Sequence, residues 1–139
     1  MKSARGIDTV KQEKTYVPIT LYDGYTLPFR SKSFDIVLIV DVLHHDTHPE
    51  HIMKEAKRVA KETVIIKDHY YTNHLDFFIL KIYDYLGNRP YHINLPYNFY
   101  TLDQWDALFK KLSLNISYTE RFRLFAGDLG KQVVFVVRI

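Results

Sequence analysis

The chain predicts an α/β domain, and three observations carry that reading. Residues Phe34 to Leu43 contain the unbroken apolar run Ile36 to Val40 between Asp35 and Asp41, the pattern of a strand buried on both faces of a parallel sheet. Strand-like and helix-like segments alternate through the first two thirds of the sequence. Near the C-terminus two β-rich runs, 116–122 and 132–139, are separated by a short segment containing Gly127-Asp128-Leu129-Gly130, and runs this close predict an antiparallel hairpin.

Taken in order, Val17 to Tyr22 is a short β-prone run stopped by the turn dipeptide Asp23-Gly24. Phe34 to Leu43 follows as the expected central strand. Thr47-His48-Pro49-Glu50 reads as a capping box with Thr47 as N-cap, and Pro early in the first turn forfeits a hydrogen bond that the turn lacks anyway. Ile52, Ala56, Val59 and Ala60 lie at helical spacing, so a helix is expected to about Lys61, followed by a second buried strand from Thr63 to Asp68. Asn73 or Thr72 caps a helix to Leu86, with Leu75, Phe78, Ile79, Ile82, Tyr83 and Leu86 on one face and Gly87-Asn88 as its stop. A loop with Pro90 and Pro96 precedes a second capping box, Thr101 to Gln104. It opens a helix that turns Trp105, Leu108, Phe109 and Leu112 inward.

At 139 residues, 47% hydrophobic and 25% charged, the chain has the balance of one globular domain, residues 1–139. The formal charge is only +3 and the basic residues form neither a run nor a stripe, which argues against a nucleic-acid partner. No segment approaches a membrane span, and the N-terminus lacks an apolar leader. With no cysteine, thiolate chemistry and zinc-thiolate sites are excluded, and a cytoplasmic location is the expectation. The sequence has 11 Tyr and 9 Phe, dense between His69 and Trp105; tyrosine buries a ring while its hydroxyl stays wet, which suits a cavity wall as well as a core.

The stretch Asp23-Gly24-Tyr25-Thr26-Leu27-Pro28-Phe29, then Ser33-Phe34-Asp35-Ile36-Val37, then Asp41 to His44-His45 and a helix with Glu55, Lys57, Arg58 and Val59, resembles class I S-adenosylmethionine-dependent methyltransferases of the Methyltransferase-11 type. The resemblance implies a Rossmann-like three-layer fold and S-adenosylmethionine as cofactor. It places Asp23 near the adenine amine with the Gly24 backbone beside it: a carboxylate accepts from an exocyclic amine, and glycine lets the main chain approach a flat ring. Gly6-Ile7-Asp8 is similar to the end of the family's second strand, making Asp8 the acid for the ribose hydroxyls, with a surface turn as the other reading. Asp41, at the end of the expected central strand, sits where ligands gather in open α/β sheets, or else serves as a cap. His44, His45 and His69 border the same cleft and are the catalytic candidates, as proton acceptors or as mere caps. The implied acceptor is a small, partly apolar molecule, covered by the segment 70–99.

The family's Gly-x-Gly-x-Gly turn, which cradles the methionine end of the cofactor, does not occur; the five glycines stand at 6, 24, 87, 127 and 130. The expectation is therefore a partial domain, truncated at the N-terminus, that binds the cofactor weakly alone. It leaves Ile36 to Val40 as a bare edge, covered by the 17–22 strand, by a second copy in a homo-oligomer or by a missing N-terminal segment. Two other readings compete: a metal-dependent hydrolase built on His44, His45, Asp46, His48 and His51, and a non-catalytic binding module. The site assignment includes no metal ligand.

Overall fold

The computed structural model describes residues 4–11, 13–89 and 95–139. Pro90 and the following four residues of the expected loop lie outside them. Among the described residues ten elements are ordered β1 (Gly6–Asp8), β2 (Ile19–Leu21), β3 (Phe34–Val40), a 3-10 turn (Leu43–His45), α1 (Pro49–Val59), β4 (Ala60–His69), α2 (His74–Asn88), α3 (Leu102–Lys111), β5 (Asn115–Phe122) and β6 (Gln132–Arg138). The class is α/β, as the alternation predicts.

The strands form two sheets. β1 and β2 pair in parallel, Asp8 opposite Leu21, while the larger sheet runs β3-β4-β6-β5. In it β3 and β4 are parallel, and β6 is antiparallel to both β4 and β5, so the mixed sheet closes on the predicted hairpin. One face carries Val37 and Ile39 of β3, Val64 and Ile66 of β4, and Val133, Phe135 and Val137 of β6 in register, packed with Met53 and Ala56 of α1 and Trp105 and Phe109 of α3. Trp105, Phe109 and Phe135 meet ring against ring, with centroids 4.9–5.8 Å apart. Each fully buried side chain of this size contributes roughly 1.5–3 kcal/mol.

Among the described residues β3 is the edge of its sheet, not the central strand its apolar run suggests, with Ile36, Leu38 and Val40 exposed, Leu38 at 65%; this is the bare edge expected from the missing glycine-rich turn. Two further sequence expectations are corrected. The 17–22 segment does not cover that edge, because its strand pairs with β1 instead. The apolar stripe of α2 faces outward: Leu75, Phe78, Ile82 and Leu86 are exposed, and the helix buries Leu80 and Asp84. Periodicity located the helix and its Asn73 cap, which accepts from Asp76 N, but not which face turns inward. Gly87 lies within α2, which runs to Asn88.

Two local details also differ. Thr47 caps nothing; His48 is the N-cap residue of α1, without a side-chain cap bond, and Thr47 Oγ1 lies 2.9 Å from His48 Nδ1. The helix ends at Val59 because Ala60 is already extended and starts β4. The Thr101–Gln104 box forms as predicted.

Candidate active site

The residues singled out in α1 join the small sheet to the large one. Arg58 donates to Leu27 O at 2.9 Å and Phe29 O at 2.8 Å and is held by Glu55, whose other contact is Leu27 N at 2.9 Å. The connection from β2 to β3 is thereby strapped to α1, with two backbone carbonyls and an amide satisfied by charged partners. Lys57 donates to Leu112 O and Ser113 O at the C-terminal end of α3, where carbonyls lack helical partners.

Two acidic sites result. The first lies at the C-terminal ends of β1 and β2. Asp8 ends β1, accepting from Val10 N at 3.0 Å, and Tyr22 N donates to Asp8 O at 3.1 Å, so Asp23 follows on the neighbouring parallel strand. Asp23 Oδ1 accepts from Tyr25 N and Thr26 N at 2.8 and 2.7 Å, and the Thr26 and Tyr25 amides hold this carboxyl below its usual range. Gly24 has φ +80°, a conformation that side chains with a Cβ rarely adopt. Carboxylates at adjacent strand ends beside a glycine fit the amine and hydroxyls of a nucleoside. No glycine-rich turn for a methionine end occurs in the sequence.

The second site lies beyond β3 and β4. Asp41 takes φ +51°, turning the chain out of β3 into the 3-10 turn, and this brings His44 and His45 back over the sheet. Asp41 is paired with Lys67 at 2.6 and 2.7 Å, and His69 Nδ1 lies 3.4 Å from it. His44 is buried: its Nδ1 is 2.5 Å from Asp68 Oδ1, and its ring stacks on Phe99 with centroids 5.0 Å apart. From α2, Asp84 approaches His44 Nε2 at 3.7 Å and His45 Nε2 at 3.6 Å, and Asn88 donates to Asp84 Oδ1 at 2.7 Å.

The electrostatics are uneven. Burial pushes the His44 imidazole down, but the hydrogen bonds to Asp68 and Asp84 and the two negative charges outweigh it and raise its pKa to about 9. For His69 burial wins over the Asp41 charge, and its pKa is lowered. Asp84 is also lowered: His44, His45 and Asn88 overcome the opposing effect of burial. These groups open on a cavity of about 420 Å³, whose apolar wall is Leu80, Tyr83 and Phe99.

The structure therefore gathers Asp41, His44, His45 and His69 in one cavity. Asp8, Asp23 and Gly24 are not among its lining. It also divides the His44–His51 cluster: His51 stacks on Tyr25 at 3.7 Å with Nε2 2.8 Å from Tyr25 O, and His48 and His51 border a different depression. A hydrolase centre made of all five residues is thus corrected, because the turn into α1 points the two pairs apart. Sequence reasoning missed Asp84 and Asn88. Their signal was two polar residues four apart inside an apolar helix, with Leu80 four residues earlier on the same face.

Comparison with known proteins agrees with this architecture. The fold is that of class I methyltransferases: an S-adenosylmethionine-dependent methyltransferase from Methanosarcina mazei superposes with a TM-score of 0.69 at 17% identity, covering 98% of this chain and 81% of that one. The chain that forms a complex with the Trm112 methyltransferase activator in Haloferax volcanii gives 0.69 at 14%, covering 99% and 71%. A [4+2]-cyclase, SpnF, gives 0.60 at 12%, covering 88% and 55%, so the same fold also carries other chemistry. No curated protein matches the sequence. Residues 2–66 match the Methyltransferase domain family, which supports the class I assignment and, by resemblance, S-adenosylmethionine as the cofactor.

Proposed function

We propose that the protein transfers a methyl group from S-adenosylmethionine to a small, partly apolar acceptor, in the cytosol, with Asp8, Asp23 and Gly24 holding the nucleoside end. The single observation that carries the acceptor class is the cavity at the ends of β3 and β4. Its volume is in the range of small-ligand sites, its apolar wall is Leu80, Tyr83 and Phe99, and its polar groups converge from two strands and a helix. When bound, the cofactor supplies a sulfonium methyl for in-line displacement.

The chain's own contribution is positioning. Leu80 and Phe99 exclude water from one side of the acceptor, and Tyr83 offers a ring to stack on. His69 lines the cavity with its Nδ1 turned to Asp41 at 3.4 Å, which leaves Nε2 as the nitrogen to take the acceptor's proton. His44 is committed to Asp68 and Phe99, so it shapes the wall and fixes His45 beside it, ring centroids 4.0 Å apart. The acceptor-side site is more complete than the cofactor side, which agrees with weak cofactor binding by this polypeptide alone. A further strand, from an adjoining segment or a second copy, pairs with the β3 edge.

Calorimetric titration of S-adenosylmethionine into the 139-residue chain tests the reading. The expected Kd is weaker than about 100 µM, further weakened by Asp23→Ala. No detectable binding at millimolar cofactor, or binding indifferent to Asp23, overturns the assignment of the nucleoside site, whereas micromolar affinity contradicts the expectation that the cofactor side is incomplete.

A further inference from the structure

Asp84 is the least expected residue of the second site. A carboxylate on an apolar helix is buried there, 7% exposed, and its Oδ2 has no hydrogen-bond partner among the described residues. Leaving a buried carboxylate oxygen unmatched is costly, so such an atom calls for a ligand.

We propose that His44 Nε2, His45 Nε2 and Asp84 form a binding site for one zinc-class divalent cation, open towards the cavity. The two imidazole nitrogens lie 3.7 and 3.6 Å from Asp84 Oδ1. Ligands about 2.0–2.2 Å from a tetrahedral ion stand roughly 3.3–3.6 Å from each other, and one ligand atom from each of the three residues already lies within 4.8 Å of the others, so an inward adjustment brings them together. Two imidazoles and one carboxylate, with the remaining position free for water or a substrate oxygen, is a donor set for zinc or iron(II).

The surroundings support the same geometry. Asp68 accepts from His44 Nδ1 at 2.5 Å, which orients the ring so that Nε2 is the nitrogen left to bind the ion, its proton being released as the ion enters. Asn88 holds Asp84 in turn, at 2.7 Å. Histidine backed by a carboxylate, and carboxylate backed by an amide, is how metal ligands are oriented. The neighbouring set of Asp41, His44, Asp68 and His69 fits less well: His44 Nδ1 and Asp68 Oδ1 are at hydrogen-bond distance, too close to share an ion, and Lys67 already neutralises Asp41.

The test needs no cofactor and no activity. The untagged chain is stripped with a chelator, titrated with Zn2+ for elemental analysis and with Co2+ for visible absorption, and checked for folding by circular dichroism. The expected result is one equivalent of zinc with Kd below about 10 µM. Asp84→Ala should weaken it at least 100-fold and Asp68→Asn by roughly 10- to 100-fold, while His48→Ala with His51→Ala leaves it unchanged. Zinc below 0.2 equivalents in the wild-type chain overturns the proposal whatever the variants do. So does undiminished binding in folded Asp84→Ala, or loss of binding in the folded His48/His51 variant.

Discussion

The acids at the ends of β1 and β2 and those around His44 sit at comparable positions in their sheets, yet they are held in opposite ways. Asp23 and Asp8 accept from amides two or three residues along the chain, in exposed turns that any surface loop can form. Asp68 and Asp84 are buried and reach across 24 and roughly 40 residues to histidines, each with one oxygen unmatched among the described residues. The first arrangement costs little and leaves a shallow surface for a flat ligand. The second costs desolvation that burial alone does not return, which is what makes it the candidate functional site.

Mutations should separate the two regions, and the largest effect falls on the buried one. Asp68→Ala removes the hydrogen-bond partner of the buried His44 Nδ1 and should lower unfolding free energy by about 3 kcal/mol in urea titrations, whereas Asp23→Ala should change stability far less. Arg58→Ala removes the strap between the regions and should cost about 2 kcal/mol, with protease cleavage appearing first between β2 and β3. An Arg58 variant as stable as wild type would mean that the two sheets are coupled by something else.

A pH experiment isolates the anchor of α2, the helix that delivers Asp84. Burial would raise the Asp76 carboxyl, but Lys131 and Thr72 hold it down at about 2, below its ordinary 3.8. Its folded pKa being depressed, its contribution is present above pH 4 and lost as pH falls through about 2. Asp76→Asn should therefore be about 1 kcal/mol less stable than wild type at pH 6, after allowance for solvent, and indistinguishable from it near pH 2. A constant difference across that window contradicts the assignment. The smallest effect is expected at Leu38→Lys on the open face of β3: a stability change within about 0.5 kcal/mol. Light scattering on the same variant reads whether copies associate through that edge, since a dimer in wild type alone would place the partner strand there.

Much of this was legible in the sequence. The unbroken run 36–40 and the turn at Asp23-Gly24 fixed two strands, and the Thr101–Gln104 box located α3 and its inward face. Burial was not legible where it depends on neighbours. An apolar run says that a strand can be buried on both faces; that β3 has a partner on one side only among the described residues followed from the absent glycine-rich turn, not from the run itself. In the same way the apolar stripe of α2 outvoted Asp84 and Asn88, although those polar residues mark the inward face. Of the candidate site, the histidines were found from their position at strand ends. Asp84 was not, because the contact comes from an element forty residues away.

One nuclear magnetic resonance titration tests the separation of the two sites most directly. Adding S-adenosylhomocysteine to the 15N-labelled chain should shift amides at 8–10 and 23–26, and adding Zn2+ should then shift those at 43–46, 68–69 and 84–88, each leaving the other set in place. Shifts from both ligands on one common set of residues, or none from the nucleoside at 23–26, would contradict the account.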